Sequence, residues 1–278
     1  LTVASNSIYG DLKLGSGSTV SGSGTLVFNK RGTQTITSAG KTLSGFSIQV
    51  AGLNGTVQLA DALSTSVAFL HTQGTFDAVS YNVTATTITS SGGRVRTLSM
   101  GSGTWTATAS GTAWNVSGSN LTLNKGTSNI LLSNISLNAR TFAGAGRTYS
   151  KLTIGGATGI STTTITGNNT FDELASTKTV AATLALDSTI QTVAVWSISG
   201  TAGNLFSVTG TSATAPAYLI STATPESADY LSISNVRATP LIDTWYAGAN
   251  SVNGGSLGWI FSVYPNIITA NSNFFVFF

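Results

Sequence analysis

The feature that most constrains this chain is a short alternation of apolar and small polar residues, broken by Gly, Asn or Ser roughly every 8–12 residues. Thr104-Trp105-Thr106-Ala107-Thr108-Ala109 alternates strictly, and so does Leu231-Ser232-Ile233-Ser234. Tyr81 to Thr89 and Tyr149 to Ile154 carry the same β-branched and aromatic bias. A period of two sends successive side chains to opposite faces, so each run reads as a half-buried strand. No amphipathic helix competes with this pattern. Phe171-Asp172-Glu173-Leu174-Ala175 is long enough for a single helical turn, but the repeats described next argue for a strand. The expectation is an all-β fold built from many short strands.

Segments of the chain echo one another in order. Asn29-Lys30-Arg31-Gly32-Thr33 returns as Asn124-Lys125-Gly126-Thr127, and Gly40-Lys41-Thr42-Leu43-Ser44 as Gly146-Arg147-Thr148-Tyr149-Ser150. Thr56-Val57-Gln58-Leu59-Ala60 returns near Thr170–Ala175, the three offsets being 95, 106 and 114 residues. This order predicts two related modules, about residues 20–115 and 116–214, and makes Phe171–Ala175 a strand. Repeated short strands fit a solenoid, a sandwich or a propeller. Charge separates them. Only 8% of residues are charged, against about 25% in an average soluble domain. Ser, Thr, Asn and Gly take their place. In a solenoid equivalent positions stack about 4.8 Å apart, where like charges repel. The chain is therefore expected to be a β-solenoid of the parallel β-helix type, with tandem β-sandwiches as the alternative. Coils of roughly 18–25 residues give about 11–15 turns and a rod about 55–70 Å long. All four Pro lie beyond residue 215, where Tyr230, Trp245, Tyr246, Trp259, Phe261 and Tyr264 also gather. Because Pro is poorly tolerated in central strands, residues 1–214 read as the solenoid and 215–278 as a distinct C-terminal β module that ends it.

Composition narrows the function classes. With no Cys, disulfides, thiolate metal sites and cysteine nucleophiles are excluded. The net charge of +3 comes from twelve scattered Lys and Arg, with Lys30–Arg31 and Arg94/Arg96 the only tight pairs. Nucleic-acid binding, which needs a basic face or run, is not expected. No apolar run reaches the roughly 18 residues of a membrane span. Leu1-Thr2-Val3-Ala4 lacks the basic n-region of a signal peptide. The absence of an initial Met is expected either from processing or from the chain's belonging to a longer protein.

Catalytic groups are sparse. His71 is the single His and follows the apolar stretch Val67–Leu70, a structural setting. No nucleophile elbow is present. Of the nine carboxylates only Asp172 and Glu173 are adjacent, and strand alternation is expected to aim them apart, whereas glycoside hydrolysis needs two facing each other. Ala39-Gly40-Lys41-Thr42 ends like a phosphate-binding loop, but Thr35 stands where the motif requires its first Gly. Asn250-Ser251-Val252-Asn253-Gly254-Gly255 has the glycines of a calcium repeat without its carboxylate. Both read as turns. No enzyme activity, metal or cofactor is expected. Trp245, Tyr246 and Trp259 sit in a Gly/Asn-rich stretch and are the candidate ligand-binding residues, as a stacking platform for sugars or a protein anchor, against the alternative that they fill the terminal core. Phe274, Phe275, Phe277 and Phe278 form an apolar tail expected to make an assembly contact.

Gly103-Thr104-Trp105-Thr106, Phe142-Ala143-Gly144, Lys151–Gly156 and Gly167-Asn168-Asn169-Thr170-Phe171 resemble repeats of large phage virion proteins and bacterial surface proteins. Asp229–Ile233, Trp245–Ser251 and Gly258-Trp259-Ile260-Phe261 resemble the module that closes such arrays. The resemblance covers roughly residues 100–261. It implies an extracellular fibre, spike or capsid-decorating protein, partnered by other virion or surface proteins and by copies of itself. The alternatives are a surface adhesin or filament subunit that binds host glycans and, third, a polysaccharide depolymerase. It supplies no catalytic residues.

Overall fold

The structure is a computed structural model that describes residues 2–3, 5–156, 161–212, 215–222, 226–241 and 244–265. Among these residues every regular element is a strand, and all pairings between strands are parallel. The first face has twelve strands, from Asn6–Ile8 to Val252–Gly254; the second has ten, from Thr42–Leu43 to Val236–Thr239; the third has six, from Leu12–Lys13 to Leu121–Asn124. The chain visits them in rotation. Phe46–Val50 lies on the first face, Thr56–Leu59 on the third, Leu63–Thr65 on the second, and Ala68–His71 back on the first beside Phe46–Val50. This is a parallel β-solenoid of about eleven turns.

Register makes the core a set of columns. Leu26, Ile48, Phe69, Ile88, Trp114, Phe142, Ile165 and Leu186 lie directly above one another on the inner side of the first face. Leu63, Val83, Trp105, Ile130, Leu152, Leu174 and Trp196 do so on the second. All fifteen are buried. One outer column is neutral and polar throughout: Thr33, Thr56, Thr75, Thr97 and Thr122 form an unbroken ladder on the third face. Each hydroxyl-bearing side chain sits one strand spacing, about 4.8 Å, from its own kind, a place where a charged residue would face its like.

The cross-section changes partway along the rod. The third face ends at Leu121–Asn124, and from Arg140–Ala143 onward the chain passes directly to the second face. There the second-face strands lengthen to seven or eight residues, at Thr148–Ile154, Thr170–Ser176 and Ile190–Ser197. The transition is filled with aromatic rings. Trp114, Phe142, Tyr149 and Phe171 contact one another with centroids 5.0–6.4 Å apart. Coil length varies, from 14 residues between paired Trp245 and Trp259 to 29 between Gly111 and Arg140, wider than the sequence implies.

The first and second faces run without interruption past residue 215. Pro216 precedes the strand Ala217–Ser221, and Pro240 follows Val236–Thr239, so these two prolines bracket strands and leave the stack intact. A small third side reforms there from Glu226–Ser227, Trp245–Tyr246 and Trp259–Ile260. Of the three sequence echoes, one pairs equivalent places. Ala39-Gly40 and Ala145-Gly146 are the same left-handed turn, with φ of 52° and 72° in one and 58° and 72° in the other, and each feeds a second-face strand. Thr56–Leu59 instead lies on the third face and Thr170–Ser176 on the second.

The Thr ladder yields a prediction. Replacing Thr75 and Thr97 together by Glu should destabilise the protein by about 0.5–1 kcal/mol beyond the sum of the single changes, whereas Thr75→Lys with Thr97→Glu should remove that excess. Urea denaturation of the four variants reads it directly.

Candidate functional site

The corner between the first and third faces is where polar side chains converge. Its turns cannot pair all their carbonyls within the sheets, so buried donors collect them. Gln34 Nε2 donates to the carbonyls of Ile8 (2.9 Å) and Gly10 (2.7 Å), while its Oε1 accepts from Lys30 N–H at 3.0 Å. Arg96, fully buried, donates from Nη1 to the carbonyls of Arg94 (2.6 Å) and Ser119 (2.9 Å) and from Nη2 to that of Ser90 (2.8 Å). Arg147 continues the pattern towards Leu121 and Gly118 at 2.7 and 3.1 Å. Burial lowers the Arg96 pKa and the charge of Arg147 lowers it further.

His71 belongs to this cluster. Arg96 Nε donates to Ser90 Oγ at 2.8 Å, which leaves the Ser90 hydroxyl proton for His71 Nδ1 at 3.3 Å; His71 Nε2–H then donates to the Gly74 carbonyl at 3.0 Å. The pair has the outline of a nucleophilic serine and its base. Both residues are only 1% exposed, so the arrangement is a structural plug. Desolvation, opposed by the Gly74 carbonyl and reinforced by Arg96, pushes the His71 pKa from its usual 6.5 down to about 4.

Outside this plug lies a groove of about 570 Å³ lined by Tyr9, Asn29, Lys30, Arg31, Ala51, Leu53, Gln73 and Arg94. These residues come from five successive turns at one corner. The corner is tight because Gly52 and Gly55 abut the Lys30 carbonyl: a Cβ on either would approach that oxygen to 2.2 and 2.0 Å. The two basic pairs picked out in the sequence thus meet. Lys30, Arg31 and Arg94 face the groove, while Arg96 turns inward beneath it, so the basic residues are less scattered than their sequence positions imply. The signal was present: Arg31 and Arg94 are 63 residues apart, three coils of about 21.

The expected sites fare differently. Trp245, Tyr246 and Trp259 are buried, at 0%, 6% and 8% exposure. Trp245 and Trp259 pack with Trp196 in a triangle of rings 5.0–6.1 Å apart, and Tyr246 stacks edge-on with Tyr264. The stacking platform is therefore corrected to a terminal core: end turns of a solenoid have no neighbour on one side, and large rings fill that gap. Phe274, Phe275, Phe277 and Phe278 lie outside the described residues. Asp172 and Glu173 do not point to opposite faces as strand alternation implies. The strand bends between buried Phe171 and Leu174, so both carboxylates face outward, Asp172 pairing with Lys125 and Glu173 with Lys151 at 2.8 Å. In the Ala39–Thr42 turn, the backbone N–H groups of Ser38 and Ala39 are held by Asp61 at 2.7 Å each, where a phosphate would have to sit. The Asn250–Gly255 segment is not a turn throughout, as the sequence implies: Val252–Gly254 is the last strand of the first face, and Asn253 accepts from Gly255 and Ser256 N–H in the turn that follows it. Among the described residues, no group of three or more His, Asp or Glu side chains is placed to hold a metal, and no helix is long and apolar enough to cross a membrane.

Fold and groove together define a parallel β-solenoid with a basic corner. No family model, curated protein or solved structure matches the chain, so its function is argued from the site.

Two outcomes are expected. The His71 pKa is depressed in the fold, so its stabilising contribution is complete above pH 6.5 and is lost as pH falls towards 4, about 3 kcal/mol in all. Urea midpoints across pH 4–7 should show this loss, and a His71→Gln variant should lose much of the dependence. Trp245→Ala should cost about 3–5 kcal/mol, read as early melting of the C-terminal turns; unchanged stability would return the ring to a surface role.

Proposed function

We propose that the chain is a non-enzymatic structural and attachment element, an extracellular component of a virion fibre, spike or decoration or of a bacterial surface. One observation carries the reading: all eight described carboxylates are engaged singly with the scaffold. Asp11 accepts from Thr35 N–H, Asp61 from Ser38 and Ala39, Asp77 from Val79, and Asp229 from Tyr230 and Asn250. Asp187 accepts from the Thr211 hydroxyl, and Asp172 and Glu173 pair with lysines. Glu226 is buried, accepting Trp196 N–H at 2.7 Å. These carboxylates hold turns and corners, the work of a scaffold, and none is left facing a second across a cleft as glycoside hydrolysis requires.

The two ends of the first face support assembly. Asn6–Ile8 and Val252–Gly254 each pair on one side only among the described residues, and such an edge can take up a further strand, from this chain or from another. The partners proposed are therefore other virion or surface proteins and further copies of this chain.

Immunogold electron microscopy of native source material with an antibody against this chain tests the proposal. Label at fixed positions on virions or cell surfaces is expected; label confined to the cell interior would overturn it. Release of reducing ends from host capsule by the purified chain would replace it with a depolymerase.

A further inference from the structure

The corner groove carries an inference of its own. Its three cations have no ion pair among the described residues, where the two salt bridges are Lys125–Asp172 and Lys151–Glu173. No carboxylate lines it. The nearest in sequence, Asp11, is occupied by Thr35 N–H at 2.8 Å. Beneath the groove the guanidinium of Arg96 is buried with only neutral partners, and its Nη1 bonds the carbonyl of Arg94, one of the lining residues. A buried, uncompensated cation is weakly screened, so its field adds to that of the three outside. A chain with so few charges has gathered four cations at one corner, and Asp11, the carboxylate of that corner, does not line the groove.

The other lining groups specify more than charge. Tyr9 is 63% exposed and Leu53 44% exposed, giving an aromatic and an aliphatic surface at the groove. Asn29 and Gln73 add amides that donate and accept. Tyr9 is held in place because Gln34 ties the carbonyls on either side of it to the next turn. Lys30 and Arg31 lie three turns from Arg94, about 14 Å along the axis at the strand spacing. An aromatic ring, amides and two separated positive points match a chain of polar rings that carries a charge only at intervals.

We propose that this groove binds an acidic polysaccharide, its carboxylate or sulfate groups held by Lys30, Arg31 and Arg94 and a sugar ring lying on Tyr9. A nucleic acid fits less well, because its phosphates follow one another every ~3.4 Å along each strand, and the cations here form two groups rather than a continuous track. The site names the attachment chemistry of the rod proposed above and rests on that reading only for its biological setting. Failure of the groove to bind leaves the immunogold result untouched, and the reverse holds as well.

Binding of the intact chain to immobilised polyuronate, dextran sulfate, neutral dextran and oligo-dT tests it. Polyuronate or dextran sulfate should bind, the preferred one identifying carboxylate or sulfate, with affinity falling as salt rises and no binding to neutral dextran. The variant K30A/R31A/R94A should lose at least about tenfold in affinity, and Tyr9→Ala should lose affinity at unchanged salt dependence. All four side chains project at the surface, so thermal melts should match the parent. The variant K41A/K125A/K151A removes the same charge elsewhere and should bind as the parent does. Equal loss in both triple variants, absence of binding to either acidic polymer, or tighter binding of oligo-dT than of both would overturn the proposal.

Discussion

In-register parallel stacking is the constraint on which everything else in this molecule depends. Each residue of a coil meets its counterpart about 4.8 Å above and below, so any property of a side chain is multiplied along the rod. Apolar columns such as Leu26 to Leu186 gain from this, because every member is sealed by its neighbours. Charged columns lose, because like meets like. The low charge of the chain is a direct consequence, and so is the unbroken ladder of Thr33, Thr56, Thr75, Thr97 and Thr122.

Corners obey different rules from faces. On a face the backbone is satisfied by the coils on either side; at a corner the turns differ in length and leave carbonyls over. The protein answers with buried donors, Gln34, Arg96 and, near the change of cross-section, Arg140, which reaches the carbonyls of Leu132 and Gly155 at 3.2 and 3.3 Å, joined by the half-buried Arg147. The guanidiniums of Arg96 and Arg140 are buried among neutral acceptors and that of Arg147 is half-buried, which is tolerable because several hydrogen bonds replace their water. The same device leaves net positive charge under the first-to-third corner, and the groove with Lys30, Arg31 and Arg94 lies above it. The groove's electrostatics are thus a by-product of how the turns are held together.

The division between scaffold and surface is clear for the titratable groups. Carboxylates brace turns, and the single His is locked neutral between Ser90 and Gly74. The aromatic residues are mostly structural as well. Phe69, Phe76 and Trp105 fill the regular core, and further rings gather where regular stacking is disturbed: at the loss of the third face, around Trp114 and Tyr149, and in the last turns, around Trp196, Trp245 and Trp259. Among the described residues Tyr9 is the exception, standing exposed in the groove.

How much of this was legible follows from the range of each interaction. Alternation is local, so Thr104–Ala109 and Leu231–Ser234 announce their strands, and scarcity of charge, a property of stacked columns, announces the solenoid. Turn chemistry is local too, and Ala39-Gly40 and Ala145-Gly146 are recognisable as one turn. Other features depend on which residues meet after many turns. A strand that bends at a corner breaks the period of two, so Asp172 and Glu173 face the same way although alternation separates them. Exposure of Trp245 and Trp259 is a matter of what packs over them, and Trp196, far away in sequence, completes their cluster. The groove unites Tyr9, Arg31 and Arg94 because coil length brings them to one corner. The sequence by itself determined the strands, their parallel stacking and the neutrality of the faces, since these arise from neighbours along the chain and from its composition. Only the tertiary structure decided which aromatic rings are core and which basic residues share a site, because a register accumulated over several coils of unequal length sets which residues meet.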